Sequence, residues 1–482
     1  MVFLFLIFGL NYCLKNPETR MKKWYEYIPH PVIILFGMIV LAWLFTYILP
    51  AGEFDRVEID GKMKVAAGSF HFVESLKLSP AVIFQSMPKG YKAAIEVIFI
   101  IVASGIMFGV LNATGAVENV VGSFVKTLGK NNQNVLIAGM TFVYGILGMF
   151  IGYENNIAMI PIAAVLSLAI GGDLVLATGI AVGGVTVGFG LSPFNPYTVG
   201  TAQRIADLPL FSGALLRIIL CILGLATMAW YNISYFKKIK VNPEKGLGYE
   251  LDSSGFSLSK PIESFKMHWK DWLILVAFVA MLIIMIYGVF EYKWYLSDIS
   301  ALFLILTFFL IFFLKKSNIE IGELVLDSVA KVAPGAFMVG FAATIRIVME
   351  EGKVSDSITY FLANSLEGLP NYLSAVGMVI TQSLMNFMIP SGSGQALATM
   401  PILIPLGEML HLTKQTVVLA FQVGDGVSNL VNPTFGGLIA MIAICRVPFE
   451  RWLRFIAPVV AILITLAIIF VVISVMINYG PA

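Results

Sequence analysis

Charge is what this chain has least of. Only 12% of its 482 residues are Asp, Glu, Lys or Arg, and the formal net charge is +2. So small a positive balance, with no basic cluster interleaved with aromatics, removes the usual ground for nucleic-acid binding. Cysteine is scarce as well. Cys13, Cys221 and Cys445 lie far apart in apolar sequence, which excludes a disulfide framework and a cysteine metal site. The histidines, His30, His71, His268 and His411, are scattered without a second ligand at metal spacing. H-E-x-x-H, G-x-S-x-G and Walker-type loops are all missing, so neither a hydrolase nor an ATP-driven pump has support, and no cofactor is expected.

Long apolar runs fill the sequence instead; 58% of residues are hydrophobic. Several runs of about 18 residues or more can each cross a bilayer core about 30 Å thick, which makes the chain an all-α polytopic membrane protein. Residues 1–20 stand apart. Met1 to Leu10 is apolar but too short to span, and it lacks the basic start and small-residue cleavage site of a signal peptide. Met21-Lys22-Lys23 reads as a natural start, so 1–20 is an N-terminal extension with no assigned role. Spans are expected at 31–49, 93–111, 208–235, 272–290, 295–314, 332–349 and 452–477. A polar segment covers 50–79, and a basic linker 237–270.

Two apolar stretches interrupt themselves. Residues 183–202 and 423–440 each hold an Asn-Pro pair, Asn195-Pro196 and Asn432-Pro433, with Gly200 or Gly437 four residues beyond the proline. Irregular backbone at membrane depth is tolerated only where it lines a cavity or is buried in protein. Paired interruptions point to a transporter's substrate site. Upstream of each lie two short apolar arms, 135–170 turning at Gly152–Asn156 and 372–410 with Pro390–Gln395 at its tip, which we read as re-entrant hairpins. Gly115 matches Gly352, Gly139-Met140 matches Gly377-Met378, Pro161 matches Pro401, and the Asn-Pro pairs match each other, all 237 to 240 residues apart. That register indicates an internal repeat. The first copy is 21–236, with hairpin 135–170 and broken helix 173–206; the second is 271–482, with hairpin 372–410 and broken helix 413–445. Positive charge at Lys22-Lys23, in the linker, at Lys315-Lys316 and at Arg446, Arg451 and Arg454 marks the cytoplasmic side. Threading the spans through those anchors inverts the copies, with the N-terminus cytoplasmic and the C-terminus outside.

Half-helix ends meeting at the midplane offer N–H groups to a carboxylate and free carbonyls to a cation. The candidates are Glu154, Asn155 and Asn156 at the first tip and Ser192, Asn195 and Thr198 at the first break. Ser391, Gly392, Ser393 and Gln395 occupy the second tip; Asp425, Ser428, Asn429, Asn432 and Thr434 occupy the second break. Pro193, Pro196, Gly424, Gly426 and Pro433 are read as the breakers. A plainer reading has Gly, Ser and Asn only capping helix ends or letting helices approach; recurrence in both halves favours function for the Asn-Pro pairs. Glu154 and Asp425 would each cost about 2.5–3.5 kcal/mol if left in hydrocarbon, so each faces a cavity or, for Asp425, caps a helix N-terminus. Arg346, inside an apolar run, is an internal counter-ion, a substrate clamp or half of a structural pair. No metal site is evident, though a sodium site stays open.

Taken together, Tyr47 to Arg56 (YILPAGEFDR), Glu154-Asn155-Asn156, Ser192 to Pro196, Pro390 to Gln395 and the run from Gly424-Asp425-Gly426 to Asn432-Pro433 resemble the anaerobic C4-dicarboxylate carrier family. Within it, the chain resembles the YfcC-like branch of basic amino-acid antiporters. The resemblance extends from about Met21 to the C-terminus. It implies membership of the wider ion-transporter superfamily, a scaffold and a mobile transport domain, elevator-type movement, often a homodimer, and a bacterial inner membrane. Sodium-coupled carboxylate carriers of that superfamily have Ser-Asn-Thr at both tips, where this chain has Glu-Asn-Asn and Ser-Gly-Ser-Gly-Gln. A channel has no use for inverted hairpins, and an embedded enzyme needs a nucleophile or metal constellation. A secondary transporter of a small molecule accounts for breaks, inversion and buried polar groups at once. Glu154 and Asp425, with no Lys or Arg beside them in sequence, favour a cationic amino acid, arginine taken up against ornithine. The alternative is a proton- or sodium-coupled carrier of a C4-dicarboxylate or other carboxylate.

Overall fold

The computed structural model describes residues 31–480 except 60, 61, 67, 129–131, 196, 257–259, 261–263, 293 and 367. The extension at 1–20, Lys22, Lys23, Pro196 and part of the linker lie outside the described residues. Among the residues described, six helices are long and apolar enough to cross a membrane. The chain is a multi-pass helical membrane protein.

Helix α1 (Pro31–Ile48) leads into a polar segment that carries strands as well as loops. Strand β1 (Gly52–Glu53) pairs antiparallel with β4 (His71–Phe72), and β2 (Arg56–Ile59) with β3 (Lys62–Val65). This is one departure from an all-α chain, and side chains of the second half hold the segment. Asp356 accepts the Phe54 N–H at 3.0 Å and pairs with Arg56 at 2.9 Å, while Phe70 stacks on Tyr360 with centroids 4.0 Å apart.

Then come α2 (Val82–Ala93), α3 (Ile95–Ala113), α4 (Ala116–Leu128) and α5 (Gln133–Ile151), a 3-10 turn (Glu154–Met159) and α6 (Ile160–Ala169). Helix α7 (Leu174–Gly190) contains a π-helical stretch at Gly179–Gly183; α8 (Val199–Ile205) and α9 (Ala214–Val241) follow. The second half has α10 (Trp269–Glu291), α11 (Leu296–Ile311), α12 (Asn318–Glu351), α13 (Ser355–Asn364), α14 (Asn371–Asn386), α15 (Gly392–Met409), α16 (Lys414–Ser428), α17 (Gly436–Ile444) and α18 (Phe449–Met476).

The span expected at 332–349 is the second half of a longer helix, α12, which starts at Asn318. A capping box starts it: Ser317 accepts from the Glu320 N–H, and Glu320 Oε2 accepts the Ser317 N–H at 2.7 Å. It runs on through Pro334. Helices α2 and α3 lie antiparallel along it at small residues, Gly90 against Gly340 and Thr344, Gly105 against Val332 and Gly109 against Ser328.

A second packed body is built on α5, α7, α9, α14, α16 and α18. Helices α7 and α16 cross where Gly190 meets Gly426; a Cβ on Gly190 would stand 2.6 Å from the Gly426 Cα. Only two glycines permit backbones to approach so closely.

The linker is docked. Helix α9 absorbs its first residues, to Val241, and Asp173 binds the next turn, accepting from the Gly248 N–H at 3.0 Å and the Tyr235 hydroxyl at 2.7 Å. Arg451 donates to the Leu247 carbonyl at 2.8 Å, and Arg446 pairs with Asp252 at 2.6 Å.

Candidate substrate site

Both helices carrying Asn-Pro pairs stop short and restart. Between α7 and α8 the described residues from Leu191 to Thr198 are non-helical, and so is the chain between α16 and α17 from Asn429 to Phe435. Freed backbone groups inside a packed interior must find partners. Asparagine side chains supply many of them. Asn195 Oδ1 accepts from the Tyr197 N–H at 2.8 Å and the Thr198 N–H at 3.3 Å, and its amide donates to the Phe189 carbonyl at 3.2 Å. Asn432 Oδ1 accepts from the Thr434 N–H at 2.9 Å, and its amide donates to the Asn386 carbonyl at 2.9 Å. Both asparagines are fully buried. Their polar groups are spent on backbone, an Asx-type use that composition alone does not distinguish from ligand binding.

Gly424 and Gly426 are not breakers. Helix α16 passes through both, and they serve close approach instead: a Cβ on Gly424 would lie 2.7 Å from the Val379 carbonyl oxygen, and Gly426 meets Gly190. Pro193 and Pro433 do fall in the non-helical segments. Asp425 lies in the last turn of α16, so it does not cap its own helix, and neither of its carboxylate oxygens makes a capping hydrogen bond.

The first tip turns at Gly152, whose φ of 100° is glycine territory. Asn156 closes it, donating to the Gly152 carbonyl at 2.5 Å. Tyr153 points into the second break, its ring 4.5 Å from that of Phe435 and its hydroxyl 2.9 Å from Thr186 Oγ1. Helix α17 begins beside it with no side-chain cap. Glu154 lies close to that end: its Oε1 is 3.3 Å from where a Cβ on Gly437 would stand. A carboxylate at an uncapped N-terminus is held by free N–H groups and the positive end of the helix dipole.

The second tip is shorter than its motif, because Gly392 to Gln395 is already the first turn of α15, capped by Ser391 Oγ on the Gly394 N–H at 3.3 Å. Gln395 turns inward and donates to Gln382 Oε1 at 2.8 Å. Gly392 meets Thr198 of the first break, and Asp425 Oδ2 lies 3.4 Å from where its Cβ would be. Each tip therefore seats on the other half's break.

Between tips and breaks lies a cavity of about 480 Å³. Of the residues singled out from sequence, Glu154, Asn155, Ser391, Gly392, Ser393, Asn429, Thr434 and Arg346 line it. Asn156, Ser192, Asn195, Thr198, Gln395, Asp425, Ser428 and Asn432 are buried behind that wall. Ser192 Oγ accepts from the Phe194 N–H at 3.0 Å, and Ser428 Oγ donates to the Gly424 carbonyl at 2.7 Å, so both brace backbone. Arg346 is 3.4 Å from Glu350, and both are half-exposed.

Sequence reasoning missed several residues. Lys92, Glu96, Tyr197 and Tyr295 also line the cavity, so two cations and two carboxylates share it. Asn386, fully buried, donates to the Asp425 carbonyl at 3.0 Å and to Asn429 Oδ1 at 2.8 Å, tying the second tip to the second break. The polar spacing Gln382–Asn386 on an apolar arm was its available signal.

Membrane-length helices around a cavity of solute size that carries charged and polar side chains define a membrane protein of the transporter class. A model of the DcuC family, C4-dicarboxylate anaerobic carriers, matches residues 28–476, and the chain belongs to that family. It is a membrane transporter with a small-molecule substrate, not an enzyme. Over 488 residues it is 28% identical to a protein of Escherichia coli named "Putative basic amino acid antiporter YfcC", covering 92% of this chain and 96% of that one. Over 505 residues it is 25% identical to an uncharacterized protein of Haemophilus influenzae, covering 95% and 98%. Among solved structures, MtrF of Neisseria gonorrhoeae, described with a class of antimetabolite efflux pumps, superposes with a TM-score of 0.44 at 17% identity over 94% of this chain and 97% of that one. The YdaH transporter of Alcanivorax borkumensis gives 0.42 at 15% over 94% and 100%.

Proposed function

We propose that this chain is a secondary transporter of the bacterial cytoplasmic membrane that exchanges cationic amino acids, arginine for ornithine, by alternating access. The observation that carries this reading is the mixed charge of one wall: Lys92 and Arg346 face the same space as Glu96 and Glu154. A basic amino acid uses both signs. Its α-carboxylate is met by Lys92 or Arg346 and its side-chain cation by Glu154, with Asn155, Ser391, Ser393, Asn429 and Thr434 supplying hydrogen bonds. Arginine and ornithine carry equal charge, so their exchange needs no ion gradient. The name of the Escherichia coli relative supports the same substrate class.

Reciprocal seating of tips on breaks supports two inverted repeats, 21–236 and 271–482 joined by the linker. On this reading the hairpins α5–α6 and α14–α15 are re-entrant. With the broken helices they form a transport domain that slides, elevator-fashion, against a scaffold of α1–α4 and α10–α12. The N-terminus is then cytoplasmic and the C-terminus outside, and pairing as a homodimer follows from the superfamily resemblance.

A second reading, a C4-dicarboxylate carrier, is favoured by Lys92 and Arg346, which bring positive charge to the cavity, and by the family's description. Counterflow decides between them. In proteoliposomes preloaded with ornithine, arginine, lysine, succinate or fumarate, labelled arginine is expected to accumulate against the three basic amino acids only. Accumulation of labelled succinate with no response to arginine rejects the exchange reading in favour of the second.

A further inference from the structure

One stretch of the cavity wall is both acidic and aromatic, and its members come from four separate parts of the chain. Glu96 lies in the first turn of α3 and Tyr295 just before α11, two helices that pack on each other. Ser297 donates to Glu96 Oε1 at 3.2 Å, which draws the starts of those helices together. Tyr295 is fixed at its helix end, since Asp298 Oδ2 accepts its N–H at 3.0 Å. Its ring lies 6.1 Å, centre to centre, from that of Tyr197 in the first break. Tyr197 in turn packs on the first tip: a Cβ on Gly152 would stand 3.0 Å from its ring, and Glu154 is two residues further on. Asn195 Oδ1 holds the Tyr197 N–H at 2.8 Å. A run of contacts therefore leads from Glu96 through Tyr295 and Tyr197 to the turn that carries Glu154, and all four residues line the cavity.

Charge along this stretch is of one sign. Among the described residues neither Glu96 nor Glu154 takes part in an ion pair, while Arg346 is matched by Glu350. Both carboxylates are within electrostatic reach of the Tyr295 hydroxyl. Carboxylates flanking a pair of rings invite a cation, because an aromatic face is itself negative and attracts a cation within about 6 Å of its centre. Side-chain cations are not equal in such a place. A guanidinium is planar, weakly hydrated and stacks on aromatic faces; an ammonium is compact and strongly hydrated.

We propose that Glu96, Tyr197, Tyr295 and Glu154 form a cation subsite that selects a guanidinium over an ammonium. The carboxylates set the sign of the charge, and the rings choose between the two cations. Tyr197 and Tyr295 are thus specificity-determining residues, and Glu96 is a second carboxylate for the substrate's side chain. Arginine is held more firmly here than ornithine or lysine. This inference rests on the exchange reading for placing the substrate's cation beside Glu154. The subsite itself binds the side chain alone, so an alkylguanidinium without an α-carboxylate is enough to fill it.

The test measures dissociation constants on the full chain in detergent, by calorimetric titration, for arginine, lysine, propylguanidinium and butylammonium. Arginine is expected to bind about five- to tenfold more tightly than lysine, and propylguanidinium more tightly than butylammonium by a similar factor. In Tyr197→Leu and Tyr295→Leu that preference should fall to about twofold or less, through loss of arginine affinity with lysine nearly unchanged. Tyr197→Phe and Tyr295→Phe should keep it, because the ring rather than the hydroxyl carries it. Glu96→Gln should weaken arginine and lysine alike. Equal affinity for arginine and lysine in the unaltered protein, or no binding of propylguanidinium, overturns the subsite without any variant having to fold. Leucine variants that weaken both amino acids alike, as a merely structural role would require, overturn it too. Absence of counterflow with selective binding intact rejects the exchange reading alone. Counterflow intact with no preference for guanidinium rejects the subsite alone.

Discussion

Asn195 and Asn432 do the same work at two places. Each is buried at an interruption, accepts from the N–H two residues on, and donates to a carbonyl on the near side of the gap or on the neighbouring hairpin. Past the asparagines the two breaks diverge. At the first, Thr198 meets the backbone of Gly392 from the opposite tip. At the second, the uncapped start of α17 meets a carboxylate, Glu154, brought by the opposite tip. The shared feature is architecture, which keeps unwound chain satisfied in an apolar surround. Chemistry lies in the unshared feature, and it is lopsided: charge enters the cavity from one tip only.

The largest effect should follow from removing that lopsidedness. Glu154→Gln is expected to cut arginine counterflow about 100-fold, as loss of one partner of a desolvated charge pair costs about 2–5 kcal/mol, with the melting temperature little changed. An unchanged rate would place the substrate's cation elsewhere. Next comes the crossing that brings the breaks together. Gly190→Ala should destabilise by about 1–3 kcal/mol, since a methyl there meets backbone rather than a side chain that can move. Thermal melting in detergent reads the loss, and a neutral result would mean the helices part freely.

The asparagines test the shared half of the comparison. Asn195→Ala and Asn432→Ala should each cost about 1–3 kcal/mol of stability by stranding backbone groups, with KM for arginine nearly unchanged. A large rise in KM for either one would return it to the substrate. Smallest is the linker. Hydrogen bonds from the Ser254 N–H and hydroxyl, with Arg446 beside it, hold the Asp252 carboxyl below the usual carboxylate range. Its contribution is therefore present above the unfolded value and lost as pH falls through the folded one. Hydrogen exchange at residues 246–254 should quicken in acid, and Asp252→Asn should abolish that pH dependence while leaving counterflow intact.

Much of this molecule was legible from residue order. Interrupted helices announce themselves because Gly, Asn and Pro have no other business in apolar runs, and Glu154 stood out for its cost in lipid. Three things were hidden for physical reasons. Lys92 and Arg346 meet Glu154 only through packing of α2 and α12, so a count along the chain reported acid without base. Tyr197 and Tyr295 stand far apart in the chain, and their meeting is invisible until the helices pack. The asparagine side chains could face a solute or the chain's own backbone, and only geometry chooses. The span expected at 332–349 proved to be the second half of a longer helix, α12, which begins at Asn318 and runs through Pro334.

The most direct test is a density map of the purified protein with saturating arginine. The account predicts a ligand in the cavity between the two tips, with its guanidinium on Glu154 and its carboxylate towards Lys92 or Arg346. Arginine bound away from that cavity, or inside it with its carboxylate on the tip and its guanidinium turned from Glu154, would contradict it.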